Sequence, residues 1–272
     1  MSKRDEMNPR ERARGLLAVT GGDVPLVTDR EVKEVKRSLL PMARAGDLEA
    51  QSLLGAIELE IEGKPKAARG WFESAAQQGD AVAKRSLGHL YANGLGVRQD
   101  LAKAVRLFRE AAADGDPYAM FNLAALNDRA DGAYATFEET LRLLEGAAKA
   151  GIPVAVSKLG DMLARVDRDE EAVECYVKAA ELGHAGAMYT LGCWARDGIG
   201  GPRDNVQAVR WFLRMVAAGD NDGIQHGVKL VRTMSAEDVR QAARLAGRPD
   251  LGEALLMTTS GRRPGPGLGD PR

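Results

Sequence analysis

Residues 83–116 read AKRSLGHLYANGLGVRQDLAKAVRLFREAAADGD, and the meaning of the glycines near the centre decides the fold. Gly94-Leu95-Gly96 has the outline of a phosphate-cradling loop. A dinucleotide-binding loop, however, needs a strand before it, a helix opening after it and a third glycine three residues on. Before Gly94 the apolar residues Ala83, Leu87, Leu90 and Tyr91 fall at helical spacing, and Gln99 stands where the third glycine belongs. The chain also lacks the Gly-Lys-Ser or Gly-Lys-Thr of a P-loop. The glycines therefore read as a turn between two helices, with no nucleotide site.

Working outward, the segment proves to be one copy of a repeat. Glycines recur at Gly46, Gly79, Gly115, Gly151, Gly183 and Gly219, at spacings of 33, 36, 36, 32 and 36 residues. Four residues after each of the first five comes an alanine (Ala50, Ala83, Ala119, Ala155, Ala187), and eight after comes a leucine (Leu54, Leu87, Leu123, Leu159, Leu191). Nine after comes a tiny residue: Gly55, Gly88, Ala124, Gly160 or Gly192. Seven residues before the later glycines stands a large apolar side chain: Phe72, Phe108, Leu144, Tyr176 or Phe212. A fixed period in several registers marks a tandem array.

Each copy reads as two helices. The glycine ends one helix, because only glycine takes a left-handed backbone without a Cβ clash. Asp47, Asp80, Asp116 and Asp220 follow it and suit the N-cap of the next helix, while Pro117 and Pro153 suit a first turn. Asp100 and Asp204 suit the cap of the second helix in the second and fifth copies. The predicted fold class is all-α: a right-handed α-α superhelix, or solenoid, of five helix pairs at 47–220 with helical caps. Residues 28–46 form the N-terminal capping helix, opened by a Thr28/Glu31 capping box and kinked at Pro41. Residues 221–257 supply C-terminal capping helices. The segment 1–27 is expected to be partly disordered, and the tail 258–272, which lacks apolar content, disordered.

Residues 83–116 resemble the Sel-one-like repeat, a relative of the tetratricopeptide repeat, through Ala83, Leu87, Gly88, Tyr91, Gly94, Gly96, Asp100, Ala104, Phe108, Ala111, Ala112 and Gly115. Residues 187–220 are similar, through Ala187, Leu191, Gly192, Gly198, Gly200, Asp204, Ala208, Trp211 and Phe212. The resemblance implies a non-catalytic adaptor or scaffold that binds proteins or peptides, or else a regulatory domain acting on an enzyme or transcription factor. Some secreted relatives stitch each repeat with a disulfide; Cys175 and Cys193 fall in different copies and do not fit that pattern.

The bulk properties agree. A net charge of −1 over 272 residues gives no general attraction to nucleic acid or anionic lipid. No apolar run reaches the roughly 20 residues of a membrane span. The apolar run near the N-terminus is only LLAV, too short for a signal-peptide core, and two cysteines cannot form a disulfide framework, so a cytoplasmic setting is expected.

Candidate chemistry is sparse. His89, His184 and His226 lie in different copies with no metal-ligand cluster, so no metal and no cofactor is expected. Glu58 and Glu62 stand one helical turn apart but read as a solvated helix end, and the acids of DRDEE (167–171) as a favourable entry to a helix N-terminus. Cys175 and Cys193 read as inert thiols in packed positions, and Trp71, Trp194 and Trp211 as packing residues. No catalytic set emerges.

In tetratricopeptide-like arrays the first helix of each pair lines an inner groove, which implies inward positions three, six, ten, thirteen and fourteen after the repeat glycine. These hold Arg85, His89 and Asn93, then Tyr118, Phe121, Asp128 and Arg129, then Ser157, Asp161 and Arg165, and finally Tyr189, Arg196 and Asp197. The candidate peptide-binding residues are Arg85, His89, Asn93, Phe121, Arg129 and Tyr189. Guanidinium and amide groups would hold backbone or carboxylates, and rings would hold side chains.

Overall fold

The computed structural model describes residues 8–18 and 28–259; every regular element among them is helical. The disorder expected of the tail falls mostly on 260–272, outside the described residues, as does much of the N-terminal segment. The chain divides into two compact units, residues 1–143 and 144–272. The first contains α1 (Pro9–Ala18), α2 (Asp29–Arg44), α3 (Leu48–Ala56), a π-helical turn (Ile57–Ile61), α4 (Pro65–Gln77), α5 (Ala81–Asn93), α6 (Leu101–Ala113) and α7 (Pro117–Arg129). The division falls within α8 (Phe137–Lys149). The second unit contains α9 (Pro153–Ala164), α10 (Asp169–Glu181), α11 (Ala185–Asp197), α12 (Asn205–Ala217), α13 (Asp222–Val231), α14 (Ala236–Leu245) and α15 (Pro249–Thr259).

The helix ends follow from the repeat glycines and the residue after each. All six glycines have left-handed backbones, with φ between +77° and +95°. The side chains of Asp47, Asp80 and Asp116 then accept the N–H of Ala50, Ala83 and Ala119 at 2.8, 2.6 and 2.7 Å. Asp220 departs from this pattern: it accepts from the Asp222 N–H at 3.0 Å, and α13 opens one residue later than the register predicts. Asp100 and Asp204 cap α6 and α12 as expected.

The two helices of a pair are held by a ring seated on a glycine. A Cβ placed on Gly88 of α5 would lie 2.6 Å from the Phe108 ring of α6. The same clash, at 2.5, 2.9 and 2.4 Å, sets Gly55 against Phe72, Gly160 against Tyr176 and Gly192 against Phe212. Rings can lie this close only where the facing helix has no side chain. Each buried ring contributes roughly 1.5–3 kcal/mol. In the copy where the tiny residue is Ala124, the corresponding large residue is Leu144, not an aromatic.

Both ends of the array are covered within their own units. Val32, Val35 and Leu39 of α2 join Ala13 of α1 in a core with Leu53, Leu54 and Ile57. Helix α1 lacks a strong apolar stripe and is tied down by ion pairs of Arg10 to Asp47 and of Arg14 to Glu49. Thr28 and Glu31 form the expected capping box on α2, which continues through Pro41 to Arg44. At the other end, Val231, Val239, Ala242, Ala243 and Leu255 cover Val209 and Leu213 of α12.

Loops between paired helices are built in two ways. Gly94 and Gly96 have φ of +67° and +66°, and Gly198 and Gly200 repeat the device at +76° and +68°. A Cβ on Gly96 would lie 2.8 Å from the Lys66 amide nitrogen, so the loop presses on the start of α4. The loop after α7 has no such glycine pair. There the buried Asn127 accepts the N–H of Tyr134 and Ala135 (both 2.8 Å) and donates to Ala135 O (3.0 Å) and Thr140 Oγ1 (2.9 Å).

Three substitutions, read by stability, separate these devices. Gly94→Ala should cost about 1–2 kcal/mol for its left-handed backbone alone, and Gly96→Ala distinctly more, because its new methyl meets backbone. Asn127→Ala should cost about 1–3 kcal/mol by stranding buried donors. Equal losses at Gly94 and Gly96 in denaturant titrations would contradict the close approach of loop and helix.

Candidate functional site

The register predicts that position six after each repeat glycine faces a partner. In the first two repeats that position ties one repeat to the next instead. Ser52 Oγ donates to Asp80 Oδ1 at 2.9 Å, and Arg85 Nε donates to Asp116 Oδ2 at 3.2 Å. Both aspartates are helix caps, so one carboxylate serves two repeats. Arg85 is thereby fixed, with its guanidinium carbon 5.2 Å from the centroid of the Tyr118 ring. Tyr118 is 53% exposed. The result is a cation–aromatic pair between α5 and α7, with the tyrosine ring exposed.

His89 and Asn93, one turn apart on α5, contact each other at 3.3 Å and are exposed. Crowding by neighbouring atoms, and then the charge of Arg85, hold the His89 imidazole below the ordinary histidine range. On α7, Phe121 is half-buried and Arg129 is exposed without an ion pair among the described residues. These five residues, with Tyr118, belong to the first unit.

Tyr189 belongs to the second unit. It is 40% exposed and meets His226 edge-on at 4.9 Å, with the buried Phe212 at 6.3 Å. Hydrogen bonding to Cys193 raises its phenol above the ordinary range. Several other positions of the register are consumed internally. Ser157 is buried, Asp161 accepts from Tyr176 Oη at 2.9 Å, and Arg196 pairs with Asp197 through two bonds of 2.7 and 2.6 Å.

The carboxylate pair Glu58 and Glu62 differs from the expected solvated helix end. Lys36 of α2 lies 3.2 Å from Glu58 and 2.8 Å from Glu62, and the two carboxylates' side chains are only 12% and 18% exposed. Burial opposes the ammonium charge of Lys36, but the two carboxylates outweigh it and raise its pKa. The Lys36 hydrogen bond lowers that of Glu62. This is a clamp between α2 and the π-helical turn. The acids of Asp169–Glu171 occupy the first turn of α10, as expected. Cys175 and Cys193 are unpaired and half-buried, and burial pushes the Cys175 thiol up, away from the reactive thiolate. Among the described residues no His/Cys/Asp/Glu group could hold a metal ion, and no helix is long and apolar enough to cross a membrane.

Residues 48–80, 81–116, 157–184 and 185–220 each match the Sel1 repeat. The chain is a Sel1 repeat protein. Residues 117–156, between the second and third matches, contain α7 and α8, where Ala124 and Leu144 replace the glycine and ring and Asn127 replaces the glycine loop. A Sel1 repeat protein from Oxalobacter formigenes is similar in structure, with a TM-score of 0.67 at 20% identity over 97% of this chain and 100% of that one. So is c5321, a protective antigen of uropathogenic Escherichia coli strains with the same repeat fold, at 0.61 and 19% over 99% and 67% of the two chains. A human IFIT1 dimer with PPP-AAAA matches at 0.56 and 14%, over 94% and 65%. These likenesses establish the helical-repeat solenoid fold class. No curated protein sequence matches the chain.

His184 was legible only by position. It stands one residue after Gly183, where Asp47, Asp80 and Asp116 stand in the first three copies, and its Nδ1 accepts the Ala187 N–H at 3.0 Å. That cap requires an unprotonated Nδ1, and burial lowers the pKa of His184 below the ordinary value of 6.5. The folded chain then binds fewer protons than the unfolded one, so this cap stabilises fully above the unfolded value and is lost as pH falls through the lower folded value. Melting temperature should drop on acidification below about pH 6.5, and His184→Asn, a capping residue that does not titrate, should flatten that slope. An NMR titration placing His184 at or above 6.5 would contradict the assignment.

Proposed function

We propose that the exposed face of α5 and α7 binds a protein or extended peptide, and that the chain works as a non-catalytic adaptor or scaffold. Sel1 and tetratricopeptide-like repeats generally mediate protein–protein interaction, which supports the class of partner. The observation that carries the choice of face is the exposed Tyr118 ring held by Arg85, itself fixed by Asp116. Tyrosine and arginine are over-represented among residues that dominate binding energy, and a pre-positioned pair loses little freedom on binding. His89, Asn93, Phe121 and Arg129 flank it, with Arg129 the cation left for a carboxylate. Tyr189, with His226, is a separate contact on the second unit.

In this reading the chain has no catalytic role and needs no cofactor. A net charge of −1 argues against nucleic acid or a membrane as the partner. Two unpaired cysteines support a cytoplasmic setting.

Tyr118→Ala and Arg129→Glu alter exposed groups and should leave melting nearly unchanged. Each should weaken capture of the native partner from extract by about tenfold for every 1.4 kcal/mol lost, with the arginine effect smaller at high salt. Phe121→Ala and Arg85→Ala are poorer probes, because a half-buried ring and a tie to Asp116 would be lost as well. Retention of the partner by both exposed-site variants, with release by changes on α4 or α6, would place the binding face elsewhere.

A further inference from the structure

The turn between α5 and α6, together with the start of α6 and Arg69 of α4, borders a cleft of about 520 Å³. Arg69, Arg98 and Lys103 line it with Tyr91, Gln99 and Asp100. Its lining carries three cations and one carboxylate, and Glu73 pairs with Arg69 at 3.5 Å beside it, which leaves a local charge of about +1. The carboxylate is already engaged, since Asp100 Oδ1 accepts the Lys103 N–H at 2.9 Å.

The cations are poorly matched within the chain. Arg98 is exposed and has no ion pair among the described residues. The Lys103 ammonium donates to Tyr91 Oη at 2.7 Å and lies 4.0 Å from the Tyr91 ring centroid, with no carboxylate partner among the described residues. Arg69 has its Nε buried without a hydrogen-bond acceptor, the nearest carboxylate being Glu73 at 3.5 Å. The rim is rigid: Asp100 N–H donates to Tyr91 O at 3.0 Å, and Gln99 Nε2 donates to Ala92 O at 2.8 Å.

The fifth repeat has the same glycine loop, and it too borders a cleft, of about 430 Å³. That one is lined by Asp167, Asp169, Glu170 and Glu171 with Arg168 as its one cation. Its acids come from the start of α10 in the preceding repeat, so the glycine loop by itself does not set the charge of the cleft beside it.

We propose that the α5–α6 cleft binds a phosphate monoester, with Arg69, Arg98 and Lys103 as its charge partners. At neutral pH such a group carries about −1.5 to −2 charge and presents three strong acceptor oxygens to the three cations, where a carboxylate presents two. The Tyr91 ring is covered by Lys103, so no free aromatic face awaits a nucleobase. The ligand is a phosphorylated side chain of another protein or a small phosphate ester. This site is independent of the peptide-binding face proposed above.

The test uses the full chain, calorimetry and amide NMR. The probes are a neutral peptide bearing one phosphoserine, its serine and glutamate versions, adenosine monophosphate and inorganic phosphate. The phosphopeptide should shift amides of Val97–Lys103 and bind at least tenfold more tightly than the glutamate peptide. Its binding should weaken as pH falls through about 6, where the phosphate gains a proton. Arg98→Gln with Lys103→Met should weaken it roughly tenfold or more without lowering the melting temperature, while Glu170→Gln at the start of α10 should have no effect. Competition by inorganic phosphate at the phosphopeptide's own concentration supports the site and assigns it to small esters; a phosphopeptide advantage of tenfold or more supports it and assigns it to a protein. Failure of every phosphate probe to bind at millimolar concentration would overturn the proposal. So would equal affinity in the double variant; tighter binding of adenosine monophosphate than of phosphoserine supports the site and assigns it to small esters.

Discussion

A ring pressed against a helix that lacks a side chain at the contact point is the constraint on which the rest of this molecule depends. Phe72, Phe108, Tyr176 and Phe212 can press against Gly55, Gly88, Gly160 and Gly192 only because no Cβ intervenes. That close approach fixes the separation of the two helices in a pair, and Ala83, Ala104 and Ala111 in the second repeat are fully buried beside it. Interiors packed this tightly admit little change in volume. With the helices set, the turn has to close over a short distance, which the left-handed Gly94 and Gly96 achieve, Gly96 lying on the start of α4.

Charged groups in this chain divide between those that join repeats and those left over. Asp80 and Asp116 each cap a helix and receive a side chain from the preceding repeat, and Lys36 joins α2 to Glu58 and Glu62. Such links consume groups that would otherwise look functional. What remains is small: the Tyr118 ring with Arg129 on one face, and the cations of the α5–α6 cleft on another. Buried pairs of this kind are costly to break once formed, because the surviving partner is left desolvated. Surface pairs such as Arg196 with Asp197 hold far less stability.

The fold was legible because its determinants are local and periodic. The glycine, the aspartate after it and the leucine-glycine step recur at fixed offsets, and each has one physical reason for its place. Links between repeats were not legible, since nothing in a single copy says that Arg85 meets Asp116 or that Lys36 reaches Glu62. Asn127 was missed for a different reason: one buried amide does the work of two glycines, and no offset in the other repeats announces it. His184 could have been found, because it occupies the capping position of the register and its imidazole nitrogen can accept like a carboxylate. The inward-facing register selected Tyr118 and Arg129 along with Ser157 and Asp161, which the chain uses for itself. Helical spacing gives direction but not partnership.

The most direct measurement is a double-mutant cycle between Gly88 and Phe108, read by denaturant unfolding. Gly88→Ala alone should cost about 1–3 kcal/mol, as overpacking does in a tight core. In a Phe108→Leu background, where the smaller side chain leaves room for a methyl, the same change should cost much less, giving a coupling of about 1 kcal/mol or more. If the two losses simply add, the ring and the glycine are not in contact-limiting register, and the spacing of the repeats must be set by something else.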